Sequence, residues 1–256
     1  MRRLLLLTAA AVVISASGVG CAGGSAATPA PDPAAYAVAL ADQARPAADR
    51  ERDAVRRTAE TLAFARVRPG QSITDMIIGG GYFTRVFAAA VGPSGRVTAW
   101  QPAEFIGFQA SYGEALTAVD ALPNVDATRA ALAAPELPGG QDLVFTAQNY
   151  HDLHLSMAAA DTAAKVNAAV FRALKPGGLY VIVDHHAAAG SGLSAANSLH
   201  RIDIEAVKRA VVEAGFVVDG ESDILARADD PLTVSVFDPS IRGNTSQFML
   251  RFRKPN

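Results

Sequence analysis

The sequence predicts an α/β domain: a mostly parallel sheet covered by helices on both faces, with an antiparallel strand inserted at one edge. Three observations carry this. Short apolar runs of β-type residues alternate with longer helical patterns from Ser72 onward, the spacing of parallel strands joined by crossover helices. One run, Ser72 to Ile78, turns sharply through Gly79-Gly80-Gly81 into a helical pattern. Near the end, Phe216–Ile224 and Gln247–Arg253 read as strands with no helix of ordinary length between them, which implies an antiparallel pair.

In chain order, Arg2 and Arg3 precede an apolar run from Leu4 to Ile14, and small residues follow. This is a secretory signal over residues 1–20, and the run is too short to span a bilayer comfortably. Export to the periplasm or envelope is expected. Cys21 is the only cysteine, so no intramolecular disulfide can form. Cys21 after Gly18-Val19-Gly20 resembles the lipid-attachment box of bacterial lipoproteins, with Gly18 where that box carries leucine; lipidated, it would anchor the chain to a membrane. The other reading is a small residue in an ordinary cleavage region. Residues 21–33 read as a tether: after Cys21, Ala22 to Pro33 hold Ala, Gly, Pro, Ser and Thr with one aspartate.

Residues 34–66 read as added N-terminal helices, Ala34–Ala44 and Ala47–Ala65, separated by Pro46. The second carries Asp49, Arg50, Glu51, Arg52, Asp53, Arg56 and Arg57, with Ala54, Leu62 and Phe64 on an apolar side. Two readings are open: a support packed on the sheet edge, or a lid over a pocket. Residues 67–256 form the main domain. A helix is expected over Tyr82–Ala90, a strand over Arg96–Trp100 and a helix over Ala103–Ala121. A short strand follows at Asn124–Asp126, and Ala127–Ala133 is ambiguous. A buried strand spans Asp142–Thr146, a helix Ala158–Leu174, and a strand Leu179–Val183 after the Lys175-Pro176-Gly177-Gly178 stop. Asp203–Ala214 is helical and Gly215 closes it. Ala187–Asn197 reads as a flap hinged at Gly190 and Gly192, with Asp238–Gly243 covering the pocket from the other side. The formal net charge of -2 argues against a nucleic-acid partner.

The order of these elements resembles the class I S-adenosylmethionine-dependent methyltransferases. The phrases are closer still to a group of exported bacterial predicted methyltransferases. They are Arg68-Pro69-Gly70, Asp75 through Thr84, Gln148 through Leu153, Leu174 through Gly178, Leu199 through Asp203, Ala214-Gly215-Phe216, Val236 through Pro239, and Ile241-Arg242-Gly243. The resemblance spans Ala47 to Pro255. It implies a Rossmann-like, seven-stranded sheet and S-adenosyl-L-methionine as cofactor. It places Asp75, Gly79, Gly80, Gly81 and Tyr82 around the methionine part and ribose, Gln101 at the ribose and Asp126 on the adenine side. Two departures stand out: Ile77 occupies the first glycine position of the motif, and Gln101 the usual acidic position.

Chemistry in such a fold lies at the carboxyl ends of the strands. His151 is the leading general base, with Asp152 to orient it or to cap a helix, and Tyr150 or Asn149 to position a substrate. Asp184 and His185 come second. His200, Arg201 and Asp203 are read as a polar cluster beneath the same mouth, with His200 and Arg201 on the substrate side. Arg242 binds a carboxylate or phosphate of the substrate, or pairs with Asp238. The histidines 151, 154, 185, 186 and 200, with Asp152 and Asp184, make a metal site a competing reading, although their spacing matches no standard zinc motif. Two functions are therefore carried: an exported methyltransferase acting on a small molecule, and a non-catalytic envelope binding or scaffold protein that keeps the fold.

Overall fold

The computed structural model describes residues 29–256. The signal over 1–20, Cys21 and the tether as far as Thr28 lie outside the described residues. Within them, no helix is long and apolar enough to cross a membrane.

Seven strands form one sheet: β1 (Ser72–Met76), β2 (Arg96–Pro102), β3 (Val125–Ala130), β4 (Gln141–Ala147), β5 (Leu174–His185), β6 (Val217–Ser222) and β7 (Gln247–Arg253), in the order β3-β2-β1-β4-β5-β7-β6. Only β7 runs against the rest, antiparallel to both β5 and β6. Period-two alternation divides the core into two layers. In β5, Leu179, Val181 and Val183 enter one layer with Phe83, Phe87 and Phe145, while Tyr180 and Ile182 enter the other with Trp100, Phe248 and Phe252. Both faces are thus apolar and both must be covered.

The covering helices are α1 (Ala37–Leu40), α2 (Ala47–Arg50), α3 (Thr58–Phe64), α4 (Tyr82–Val91), α5 (Ala103–Phe108), α6 (Ser111–Asp120), α7 (Thr162–Ala173), α8 (Ala196–Leu199) and α9 (Ile204–Glu213). Asp203 caps α9 by accepting the Glu205 N–H at 3.0 Å.

Two expected helices are broken. Ala47–Ala65 is interrupted because the Thr58 N–H and hydroxyl both reach back to the Asp53 carbonyl, at 3.0 and 3.2 Å. That wide turn needs a left-handed residue, and Arg57 supplies it at φ 47°. Ala103–Ala121 splits into α5 and α6 because Gln109 is extended. The ambiguous stretch after Asp126 is strand, so β3 runs to Ala130.

The N-terminal segment is part of the body. Leu62 is fully buried, and Tyr36 donates its hydroxyl to the Val67 carbonyl at 2.8 Å. Arg251 of β7 donates to the Phe64 carbonyl at 2.6 Å, tying this segment to the far half of the sheet.

Candidate active site

The carboxyl ends of β1 and β4 open into a cavity of about 570 Å³. Its floor is the turn after β1. Ile77 sits there at φ 58°, the left-handed conformation that the glycine of the motif would adopt freely. A β-branched residue at this φ is strained. Three hydrogen bonds hold it: its N–H donates to the Trp100 carbonyl at 2.7 Å, its carbonyl accepts from Asn149 Nδ2 at 2.9 Å, and the next N–H, of Ile78, also reaches Trp100 at 3.4 Å. The side chain is 4% exposed and packs with Met76 and Trp100. Branched residues rarely enter this conformation; Ile77 adopts it with its bulk turned largely into the core.

Gly79 and Gly81 follow at φ 53° and 75°. A Cβ on Gly81 would meet Val119 at 2.7 Å, so this position needs glycine on two counts. A Cβ on Gly80 would meet nothing within 4 Å, so the backbone there faces open space. Asp75 is buried, accepts the Thr84 hydroxyl at 2.6 Å, and is pushed up to about 7 by burial against the opposing effect of that bond.

The ends of β4 and β5 bring together a second group. Asp184 is fully buried and accepts three N–H groups: the His151 backbone at 2.8 Å, the His151 ring through Nδ1 at 2.8 Å, and the His185 backbone at 2.7 Å. His151 Nε2 faces Asp152 at 3.2 Å and His200 Nδ1 at 3.3 Å. Burial alone would lower the His151 pKa, but Asp184 and Asp152 outweigh it and raise it to about 10. Asp152 is held below its ordinary value: burial opposes this, and its bonds to His151 and His200 overcome it. His185 shows the opposite balance; burial lowers it to about 4 while its Nδ1 shares a 2.9 Å bond with Thr245. His151 is therefore an imidazolium between two carboxylates, and the expected base is occupied by a proton at neutral pH.

The structure moves several expected site residues elsewhere. Tyr150 is fully buried, accepts from Asn167 Nδ2 at 2.9 Å and belongs to the core. Gln101 is also fully buried; its Oε1 accepts the Gly79 N–H at 3.0 Å, so it braces the glycine turn from behind, and its Nε2 has no partner. Asp126 pairs with Arg96 at 2.6 Å near the amino end of β3, the wrong end for an adenine contact. Arg201 is buried in a bidentate pair with Asp230, both bonds at 2.9 Å, and is structural. Asn149 lines the cavity, but its Nδ2 is spent on the Ile77 and Ala147 carbonyls.

Tyr82 lines the cavity with its ring while its hydroxyl bonds Thr58 and Asp53. Asp203 pins the expected flap by accepting from Gly190 and Gly192 at 2.9 and 3.2 Å. Arg242 is exposed and does not pair with Asp238; only backbone joins them. Of the histidines, His151 and His200 converge with Asp152, their ligating atoms within 4.8 Å of one another, close enough to share an ion. The other three histidines do not join that group.

Several lining residues belong to no motif in the sequence: Phe105, Phe108 and Tyr112 rise from α5 and α6. Phe237 closes on His200 at 4.8 Å between ring centres. Phe108 and Phe237 are exposed, at 83% and 56%, an unusual state for phenylalanine that marks the rim of the cavity. Arg52 and Arg56 line it from the N-terminal segment. Their i, i+4 spacing was the available signal. Among the described residues, four of the six non-glycine residues with positive φ, namely Arg57, Ile77, Gln148 and His200, border this cavity or the one beside it, which is where strain is expected to collect.

No family model and no curated protein matches the chain. Solved structures do. A SAM dependent methyltransferase from Aquifex aeolicus is similar with a TM-score of 0.55 and 18% identity, covering 87% of this chain and 98% of its own. An arsenic (III) S-adenosylmethionine methyltransferase from Chlamydomonas reinhardtii gives a TM-score of 0.53 and 17% identity over 90% and 75% of the two chains. The [4+2]-cyclase SpnF gives 0.55 and 17% over 84% and 85%. With the β7-inserted strand order, these establish the class I methyltransferase fold for this chain. SpnF is a reminder that the fold alone does not name a reaction.

Proposed function

We propose that this protein is an S-adenosylmethionine-dependent methyltransferase acting on a small molecule in the cell envelope. The observation that carries the reading is the cavity over β1 and β4. It combines a buried acidic residue, Asp75, with the open backbone of Gly79 and Gly80 and an aromatic wall from Phe105, Phe108 and Tyr112. These fit the cofactor: the glycine turn leaves room for close approach, Asp75 offers a carboxyl group, and the aromatic side suits a flat base. Gln101 does not contribute a ribose carboxylate, so the turn itself must supply most of the polar contacts. Bound there, the cofactor supplies an electrophilic methyl group on a sulfonium.

The chain's own residues then do three things. Asp152 and Asp184 outweigh the single charge of His151, leaving the cluster net negative, which favours a cationic ligand beside it. His151 donates rather than accepts. His200, half-buried at the mouth with Asp152 3.8 Å from its Nδ1, is the imidazole placed to take a proton from an acceptor. The envelope location, the lipid anchor at Cys21 and membership of the exported group rest on the sequence patterns described above.

The direct test is calorimetric titration of the protein with S-adenosylmethionine and S-adenosylhomocysteine. Micromolar binding is expected. A folded protein that takes up neither at millimolar concentration refutes the proposal and leaves the envelope binding-protein alternative.

A further inference from the structure

A second cavity, of about 740 Å³, adjoins the first. It lies over the carboxyl ends of β4 and β5, floored by Gln148 and His185 and closed by the connection from β6 to β7 and by Arg52 and residues 54–57. Its lining contains Arg52, Arg56, Arg57, Arg227 and Arg242 and no aspartate or glutamate. In a chain whose formal net charge is -2, that segregation is not a consequence of composition.

Arg57 is paired with Glu60 at 2.8 Å. Among the described residues, the other four have no carboxylate at ion-pair distance; Arg50, Arg68, Arg129, Arg172 and Arg209 share that state outside the cavity, whereas Arg45, Arg66, Arg85, Arg96, Arg201, Arg251 and Arg253 are paired. Arg56 is the most telling. It is half-buried, its guanidinium lies 4.6 Å from the centre of the Tyr82 ring, and burial together with the charge of Arg52 lowers its pKa to about 10. A cation withdrawn from water without a counter-ion is costly, and an anion in the cavity would offset that cost. Guanidinium groups in a walled cleft also suit carboxylate and phosphate oxygens, which they bind through paired N–H donors.

We propose that this cavity is the acceptor side of the site and takes a small molecule bearing a compact oxyanion, a carboxylate or a phosphate. The proposal rests on the methyltransferase reading for the word acceptor, and on the arginines alone for the oxyanion. Arg52 and Arg56 border both cavities and can serve either ligand. Arg227 and Arg242 border only this one and are the discriminating pair.

The test is titration calorimetry of the whole protein with inorganic pyrophosphate and, separately, citrate, with and without saturating S-adenosylhomocysteine. Binding of at least one anion is expected, weakening with salt. Arg227→Gln and Arg242→Gln should each weaken it roughly tenfold or more, the size of a lost charged hydrogen bond. S-adenosylhomocysteine binding should be unchanged in both. Arg172→Gln, an exposed arginine lining neither cavity, is the control for a general charge effect. Pyrophosphate alone binding identifies a phosphate; citrate alone, a carboxylate. The inference is overturned if neither anion binds the S-adenosylhomocysteine complex, or if the two variants bind as the parent does. Anion binding that the variants lose, in a protein that ignores S-adenosylhomocysteine, removes the methyltransferase reading and leaves the oxyanion site standing.

Discussion

Ile77 offers a test of whether the glycine turn is strained as its geometry implies. Two substitutions separate the effects. Ile77→Ala removes most of a side chain that is 4% exposed but keeps a Cβ at φ 58°. Ile77→Gly removes the Cβ as well. Truncating a buried isoleucine costs about 2–5 kcal/mol through lost burial and the cavity left behind, and both variants suffer it. They differ in backbone terms. At an ordinary strand position glycine is about 0.5–1 kcal/mol worse than alanine, because it has more freedom to lose. At a left-handed position the alanine Cβ is instead penalised by about 1–2 kcal/mol. The order should therefore invert, with Ile77→Gly more stable than Ile77→Ala by about 0.5–1 kcal/mol. Urea unfolding followed by Trp100 fluorescence reads this directly, since Trp100 is fully buried beside Ile77 and accepts its N–H at the carbonyl. Alanine more stable than glycine, by any margin outside error, would mean that the turn relaxes and that the strain is not real.

Three further outcomes are expected. Arg201→Met should cost about 3–5 kcal/mol in urea unfolding, because it strands the buried Asp230 carboxylate; Arg201→Met with Asp230→Leu should recover much of this. If Arg201 touched substrate rather than Asp230, the double variant would regain no stability. The His151 pKa is raised to about 10, so its stabilising effect is complete below its unfolded value near ~6.5 and is lost as pH rises through about 10. Ring NMR signals of His151 should accordingly stay in the protonated form through neutral pH, and Asp184→Asn should bring the titration down. A His151 that titrates near neutrality would restore it as the base. His185 works in the other direction: lowered to about 4, it costs stability as pH falls from ~6.5 toward that value, so His185→Gln should flatten the acid limb of the stability curve. An unchanged limb would place the loss elsewhere.

What the sequence revealed and what it hid follow from how far each property reaches along the chain. The strands were legible because a period of two or an unbroken apolar run is local, as with Phe248, Leu250 and Phe252 of β7. The broken helix at Arg57 was not, because the cause is a hydrogen bond from Thr58 to Asp53 that outweighs good helical propensity. Asp126 was misplaced by register: the strand was read as ending there, but β3 starts at Val125 and runs to Ala130, which puts Asp126 at the opposite end from the ligand. Tyr150 lies in a phrase that belongs at the mouth, yet one residue decides whether a side chain faces cavity or core, and sequence carries no measure of that turn. Arg201 needs Asp230, and the arginine cavity needs residues 52–57 beside Arg227 and Arg242; both are facts of the tertiary fold.

The charged residues that the two cavities do not share differ in sign, and this leads to a prediction that requires no knowledge of the substrate. Beside the first, Asp152, Asp184 and protonated His151 sum to one negative charge; Arg227 and Arg242 border only the second, while Arg52 and Arg56 border both. A positively charged donor and a negatively charged acceptor would each be drawn to its own side and away from the other's. S-adenosylmethionine and S-adenosylhomocysteine differ by the methyl group and the charge it brings, so their affinity ratio reports the local field. Asp152→Asn is nearly isosteric and takes the cluster from net negative to neutral. A charge change within about 10 Å is worth roughly 1–2 kcal/mol at an effective dielectric of ~20. Asp152→Asn should therefore weaken S-adenosylmethionine up to about tenfold or somewhat more relative to S-adenosylhomocysteine, while Arg242→Gln leaves the ratio near that of the parent. Equal weakening of both ligands would show that Asp152 acts through shape or hydrogen bonding, and that the charge of the cluster does not select the methyl donor.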